Sequence, residues 1–166
     1  MLINYNKIIV VVVFVIFLSS CSDFKPLYRE DLNTLHKLQS FAIITDNKAV
    51  SQDVKKSLLS LFPTKRKNKY IIKIEAKSAT GGTVSDITRK ISRYKTKVSA
   101  SVNLYYRYKQ YDKLIFSFEE EKSAPYSLVV NNIRSTLASK KKAQQTSTRL
   151  LAEEIYKSIL IYLKNN

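Results

Sequence analysis

The stretch Ser92–Tyr108, SRYKTKVSASVNLYYRY, decides the fold. Its residues alternate over the whole length between two sets, which is the pattern of a β-strand, because successive side chains of a strand point to opposite faces. One set is mostly apolar: Tyr94, Val98, Ala100, Val102, Leu104 and Tyr106. The other set is polar: Arg93, Lys95, Lys97, Ser99, Ser101, Asn103 and Arg107. We therefore predict a long strand with one face on a core and the other towards water or a partner.

Three other segments predict further strands. Ser40–Thr45 (SFAIIT) is a short apolar run that is typical of a buried strand. Tyr70–Lys77 alternates, with Tyr70, Ile72, Ile74 and Ala76 on one face. Leu114–Glu119 alternates again, with Leu114, Phe116 and Phe118 expected on the same face. Together with Ser92–Tyr108, these segments predict a sheet of four strands.

The link between the second and third strands contains the only two glycines of the chain, Gly81 and Gly82. Glycine inside a strand pattern favours a bulge or a turn. We expect a bulge here, in a strand that continues to a hairpin tip near Thr88–Lys90.

Two amphipathic helices are predicted. The first has an apolar stripe at helical spacing, a cap at Asp46 or Asn47, and its end at Pro63. That stripe consists of Val50, Val54, Leu58 and Leu61. After an irregular region at residues 123–134, Ser135 or Thr136 is expected to cap the final helix. Its buried stripe consists of Thr148, Leu151, Ala152, Ile155, Ile159, Tyr162 and Leu163.

The predicted order of elements is β-α-β-β-β-α. Helices that bury one stripe and a sheet that buries one face form two packed layers. Residues 40–166 are therefore predicted to form a single α+β two-layer sandwich, with two helices on one face of a four-stranded mixed sheet.

The N-terminal residues have the pattern of an export signal. A short, weakly basic leader, Met1–Lys7, precedes an apolar run, Ile8–Leu18, and then small residues. Leu18-Ser19-Ser20-Cys21 looks like a bacterial lipobox, which predicts a signal peptide at residues 1–20, acylation of Cys21 and a lipidated tether at residues 21–39. The alternative is an uncleaved membrane helix, but the apolar run is shorter than the roughly 20 residues of a span.

The charge and the missing motifs limit the function. A formal net charge of +16 favours anionic partners such as nucleic acid, phospholipid surfaces or lipopolysaccharide (LPS). Alternatively, the many lysines only solvate the surface. An exported lipoprotein has little access to nucleic acid, so we expect no nucleic-acid partner. The only histidine, His36, has no metal-ligand spacing around it, and no phosphate loop or nucleophile motif is present. We expect no catalysis, metal or cofactor.

The residues Cys21–Tyr28 (CSDFKPLY) resemble the mature start of the LPS-assembly lipoprotein family LptE, which often reads Cys-Gly-Phe-x-Pro-Leu-Tyr-Gly. This chain has one extra residue before Phe24, and it has Ser22 and Arg29 where that family has glycines. Further segments look similar in order and spacing: Arg93-Tyr94 leading a strand that ends in Leu104-Tyr105-Tyr106, the hairpin tip ahead of it, and Leu151–Ile155 and Ile161–Leu163 in the final helix.

The resemblance implies a plug for the barrel of LptD, the outer-membrane LPS translocon. Such a protein also assists assembly of that barrel and binds LPS. Asp23 lies one place too late for the usual inner-membrane retention signal, so the resemblance implies an outer-membrane lipoprotein on the periplasmic side. It also implies basic LPS-binding residues at the hairpin tip and on the final helix, namely Arg89, Lys90, Arg93, Lys140, Lys141 and Lys142.

The open side of the sheet is the expected contact with the barrel. It is predicted to be polar with a single aromatic, which suits a hydrated lumen. Ser101, Asn103 and Tyr105 are the expected contact residues. Two other functions stay open: a different periplasmic lipoprotein that is accessory to a lipid transporter, or a structural lipoprotein without a ligand.

Overall fold

The computed structural model describes residues 37–38, 40–62, 69–84, 91–109, 111–128 and 132–166, and at 83–84 and 91–93 it describes the backbone alone. The predicted element order is confirmed. The elements are β1 (Phe41–Thr45), α1 (Ala49–Leu59), β2 (Tyr70–Val84), β3 (Ile91–Arg107), β4 (Asp112–Tyr126) and α2 (Ile133–Asn165).

The four strands lie in the sheet in their chain order, β1-β2-β3-β4. β1 pairs with β2 in parallel, and the two other pairs are antiparallel, so the sheet is mixed as predicted. The parallel pair is joined through α1, since a parallel connection needs a crossover. β1 and β4 are therefore the two edge strands.

The core lies between the sheet and the two helices. Its strand residues all belong to the apolar set of alternating positions, which places both helices on one face of the sheet. The cluster includes Ile72, Ile74, Val98, Val102 and Leu104 from the strands with Val54, Leu58, Leu151, Ile155 and Ile159 from the helices. The prediction of two helices on one face of a four-stranded mixed sheet is thus confirmed, and the fold is the predicted α+β sandwich.

Two buried serines attach the helices to strand backbones. The N–H of Ala76 donates to Ser51 Oγ at 2.9 Å, just beyond the point where β1 ends. Ser147 Oγ lies 3.0 Å from the carbonyl oxygen of Thr96 and donates to it. The first of these hydrogen bonds satisfies a buried backbone N–H that has no strand beside it among the described residues, and the second ties α2 to β3.

The boundaries of three elements differ from the predictions. β4 continues to Tyr126, so the start of the region predicted to be irregular is strand; Pro125 is tolerated there because β4 is an edge strand. The N-cap of α2 is Asn132, whose side chain accepts from the Ser135 N–H at 3.0 Å. A cap at Ser135 or Thr136 was therefore wrong.

The predicted N-cap of α1 was also wrong. Lys48 occupies this position and makes no capping hydrogen bond through its side chain. Asp46 instead forms an ion pair with Lys48 at 2.8 Å, and hydrogen bonding to that ammonium group holds the pKa of Asp46 below its usual value.

The register of the sheet corrects two further predictions. β2 continues through the glycines as expected, but Gly81 and Gly82 keep regular pairing, and the irregularity lies between Thr83 and Val84. A second register shift, between Leu104 and Tyr105, brings Leu114 opposite Tyr105. Leu114 therefore lies on the opposite face from Phe116 and Phe118, contrary to the prediction. The hairpin tip at residues 88–90 lies outside the described residues.

Candidate functional site

The candidate site is the face of β2, β3 and β4 that points away from the helices, which we call the open face. Ser101, Asn103 and Tyr105, the predicted barrel contacts, all lie on it. Its side chains form rows across the three strands. The rows are Ile71–Tyr105–Leu114, Lys73–Asn103–Ser117, Glu75–Ser101–Glu119 and Lys77–Ser99–Glu121.

The middle of the open face is a shallow cleft of about 460 Å³. Ser99 and Ser101 are short and line its floor on β3. Longer charged side chains line it from both sides: Glu75 and Lys77 from β2, and Glu119 and Glu121 from β4. The cleft can therefore exchange hydrogen bonds and ion pairs with a hydrated partner surface.

Three carboxylates make this face mixed in charge rather than basic. The sequence places Glu75 here by alternation. The prediction named neither Glu119 nor Glu121 as a site residue, and Glu121 lay outside the predicted strand, which ended at Glu119 instead of Tyr126. The triplet Glu119–Glu121 could have predicted these two carboxylates, since Glu119 and Glu121 point to the same face if the strand continues.

Several side chains of the open face interact with one another. Lys97 Nζ and Glu121 Oε2 form an ion pair at 2.5 Å. Ser117 donates to Asn103 Oδ1 at 2.7 Å. The ammonium group of Lys73 lies 4.6 Å from the centroid of the Tyr105 ring, a cation–π contact that orients the ring.

One end of the open face is apolar, which corrects the prediction of a polar face with one aromatic. Ile71 is buried and pairs with Tyr105, and Leu114 is 49 % exposed in the same row. Ile44 on β1 pairs with Lys73 and is 45 % exposed. Tyr105 therefore lies where the polar rows meet this apolar end.

The predicted lipid and LPS residues are only partly described. Cys21, Arg89 and Lys90 lie outside the described residues, and the backbone of Arg93 pairs with Thr83 in the sheet.

The three lysines of the final helix do not share one direction. Lys141 and Lys142 are exposed on α2, and Lys140 is half-buried. Successive residues of a helix point about 100° apart, and Lys140 lies on the side of the buried Ala143 and Ser147. The three lysines therefore cannot all face one ligand.

A second cleft, of about 230 Å³, lies where β2 begins and α2 ends, and sequence reasoning missed it. Its lining includes Tyr70, Tyr106, Tyr162, Lys37 and Lys113. Burial raises the pKa of Tyr70, with a smaller contribution from Tyr106 and then Tyr162, so the Tyr70 phenol is neutral at physiological pH. Neutral phenols bind through ring contacts and hydrogen bonds.

In the described part of the chain, no group of three or more His, Cys, Asp or Glu side chains is placed to hold a metal ion. The helices of that same part include none that is long and apolar enough to cross a membrane.

No family model and no curated protein matches this chain. Solved structures do match it, and they define the class of fold. A candidate lipoprotein from Caulobacter crescentus CB15 is 10 % identical, with a TM-score of 0.64, over 80 % of this chain and 97 % of that one. A minor lipoprotein from Acinetobacter baumannii is 12 % identical, with a TM-score of 0.56, over 76 % and 95 %. Rare lipoprotein B from Shewanella oneidensis is 10 % identical over 75 % and 96 %, but its TM-score of 0.46 supports no argument. The chain therefore shares its fold with the first two of these lipoproteins.

Proposed function

We propose that this protein is a lipid-anchored lipoprotein of the outer membrane that plugs an LptD-like barrel, assists assembly of that barrel and binds LPS. The observation that carries the proposal is the open face, a broad hydrated surface that the two helices leave uncovered. The lipobox-like segment ending at Cys21 and the fold shared with two lipoproteins support the anchor. The resemblance of Cys21–Tyr28 to the LptE family supports the choice of barrel.

The chemistry of the open face suits a water-filled barrel. A wall of mixed polar side chains can exchange ion pairs and hydrogen bonds with the cleft around Ser101 without the desolvation that a dry interface requires. Tyr105 supplies an oriented ring that adds contact area, and its hydroxyl can stay hydrogen-bonded. Leu114 beside it offers an apolar contact at the same end.

Photocrosslinking tests the barrel contact. A photoreactive residue at Ser101 or Tyr105 is expected to capture a large outer-membrane protein in intact membranes, because both positions would face the barrel wall. The same residue at Lys56 is the control, since Lys56 is exposed on α1 in the opposite layer of the sandwich. Mass spectrometry identifies the product. Equal capture from all three positions, or none, would contradict the proposal.

Depletion of the protein tests the assembly role. The amount of mature barrel and of surface LPS is expected to fall, because the barrel would lose its assembly factor. If both stay normal while the anchor is intact, the protein is better explained as an accessory to another lipid transporter.

Charge reversal tests the LPS site. Arg89→Glu with Lys90→Glu is expected to weaken LPS binding strongly and to reduce its sensitivity to salt, because the ionic contacts to LPS phosphates are lost. The control is Lys65→Glu with Lys67→Glu, which changes the net charge equally in another basic stretch of the sequence, Lys65–Lys69. Binding to immobilised LPS is measured at several salt concentrations. If both double variants bind equally weakly, the effect is bulk charge and the proposed site is wrong.

A further inference from the structure

The outer edge of β2 is unpaired over its second half. β1 pairs only with Tyr70–Ile74. The N–H of Tyr70 donates to the carbonyl oxygen of Ser40, which directly precedes β1, so the backbone groups of Tyr70 point towards β1. Alternate residues of β2 from Tyr70 onward therefore direct their N–H and C=O groups to this edge. The N–H of Ala76, which also points to this edge, donates to Ser51 Oγ. Beyond it, the outward N–H and C=O groups of Ser78, Thr80 and Gly82 have no strand beside them among the described residues.

This edge lacks the features that protect edge strands from pairing with another chain. The other edge strand, β4, carries Glu119–Lys122 and Pro125, and charges and proline discourage added strands. The segment Ser78–Val84 of β2 (SATGGTV) has neither a charge nor a proline.

Nothing in the described part of the fold requires glycine at position 81. Gly81 and Gly82 pair regularly with β3, and a Cβ atom at Gly81 would meet nothing within 4 Å. Glycine in a strand interior is destabilising relative to alanine, because it loses more conformational entropy on folding. Close approach of another backbone is a physical reason to keep glycine in a strand.

The charges beside the edge indicate what kind of segment fits. Lys77 and Lys95 are exposed on the open face, and neither forms an ion pair within the described residues, whereas Lys97 is paired with Glu121. Lys95 lies directly across from Gly81. Because Gly81 has no side chain, the lysine can extend over β2 towards a strand added about 5 Å further out.

We propose that the edge Ser78–Gly82 of β2 accepts an extended segment of a partner protein as an added strand, with acidic residues at alternate positions facing Lys77 and Lys95. Backbone hydrogen bonds to Ser78, Thr80 and Gly82 hold the segment, and the two lysines select its charge. The edge adjoins the open face, from which Lys77 and Lys95 extend, but the proposal does not depend on the barrel contact.

A labelled peptide tests the proposal on the protein purified from membranes in detergent. The probe is the peptide Thr-Glu-Val-Glu-Thr-Glu-Val, blocked at both ends, and its partner probe has lysine in place of each glutamate. The acidic peptide is expected to bind and the lysine peptide is not. The double substitution Lys77→Glu with Lys95→Glu is expected to reverse this preference. Fluorescence anisotropy measures the binding of both peptides.

Two edge variants locate the site. Thr80→Pro removes an outward N–H, and Gly81→Val places a side chain beside the edge at a position where a Cβ atom meets nothing within 4 Å. Each is expected to weaken binding by about tenfold or more, which is 1.4 kcal/mol. Gly81→Val is also expected to keep or raise the melting temperature, so its effect cannot be explained by unfolding. Ser123→Val, exposed on β4 on the same sheet face, is the control and is expected to bind like the wild type.

Three results would overturn the proposal. One is no binding of the acidic peptide, and another is equal binding by Gly81→Val. The third is a dimer of the chain alone, seen in sedimentation and abolished by Thr80→Pro, because the edge would then serve a second copy of this chain.

Discussion

Leu104→Ala is expected to lower the free energy of unfolding by about 2–5 kcal/mol, a large share of the roughly 5–15 kcal/mol of a typical domain. Leu104 is fully buried on β3 between Ile72 and Phe116, in the cluster that also holds Ile155 of α2. Truncation removes apolar contacts and leaves a cavity, since strands and helix cannot close around it without shifting the register of the sheet.

Leu114→Ala is the matched control for this substitution. It removes the same atoms from a leucine that is 49 % exposed on the open face, only one row away in the sheet. Its expected cost is below about 1 kcal/mol. Urea unfolding measures both variants, and a lower midpoint at an unchanged slope reports lost stability. If the two leucines cost the same, Leu104 is not at the centre of the core.

Cys21→Ala is expected to abolish acylation and to block removal of residues 1–20 at this site. A thioether and an acylated amino group can form only at a cysteine in this position, and two or more acyl chains are what make such anchoring stable. Mass spectrometry of the mature N-terminus and fractionation of membranes measure the effect. Ser22→Ala is the control, because it leaves the predicted cleavage and acylation residue intact.

The same variant separates anchoring from folding. Thermal melting of Cys21→Ala is expected to match that of the wild type, because the core cluster of the described residues is built from Leu38 and residues that follow it. Wild-type protein with an unmodified Cys21, or with residues 1–20 retained, would contradict the lipobox interpretation.

The sequence alone predicts the two layers of this fold, because periodicity is a local property. The alternation in β3 separates Val98 and Val102 from Ser99 and Ser101 without knowledge of any neighbour. The 3–4 spacing of Leu151, Ile155 and Ile159 likewise predicts which side of the final helix is buried.

The sequence does not predict features that depend on a partner strand. Leu114 alternates correctly with Phe116, yet one register shift against β3 places it on the opposite face, since a single extra residue reverses the alternation on one side of it. Pro125 belongs to a strand only because β4 is at the edge of the sheet, which the order of strands decides.

The candidate surfaces divide in the same way. The sequence by itself determined the polar side of β3, with Ser101, Asn103 and Tyr105 on one face, because alternation is set by backbone geometry. Only the tertiary structure decided what surrounds that side. The length and pairing of β4 bring Glu119 and Glu121 beside β3, and the shortness of β1 leaves the edge of β2 at Ser78–Gly82 unpaired. Pairing joins residues far apart in the chain, so no local pattern records it.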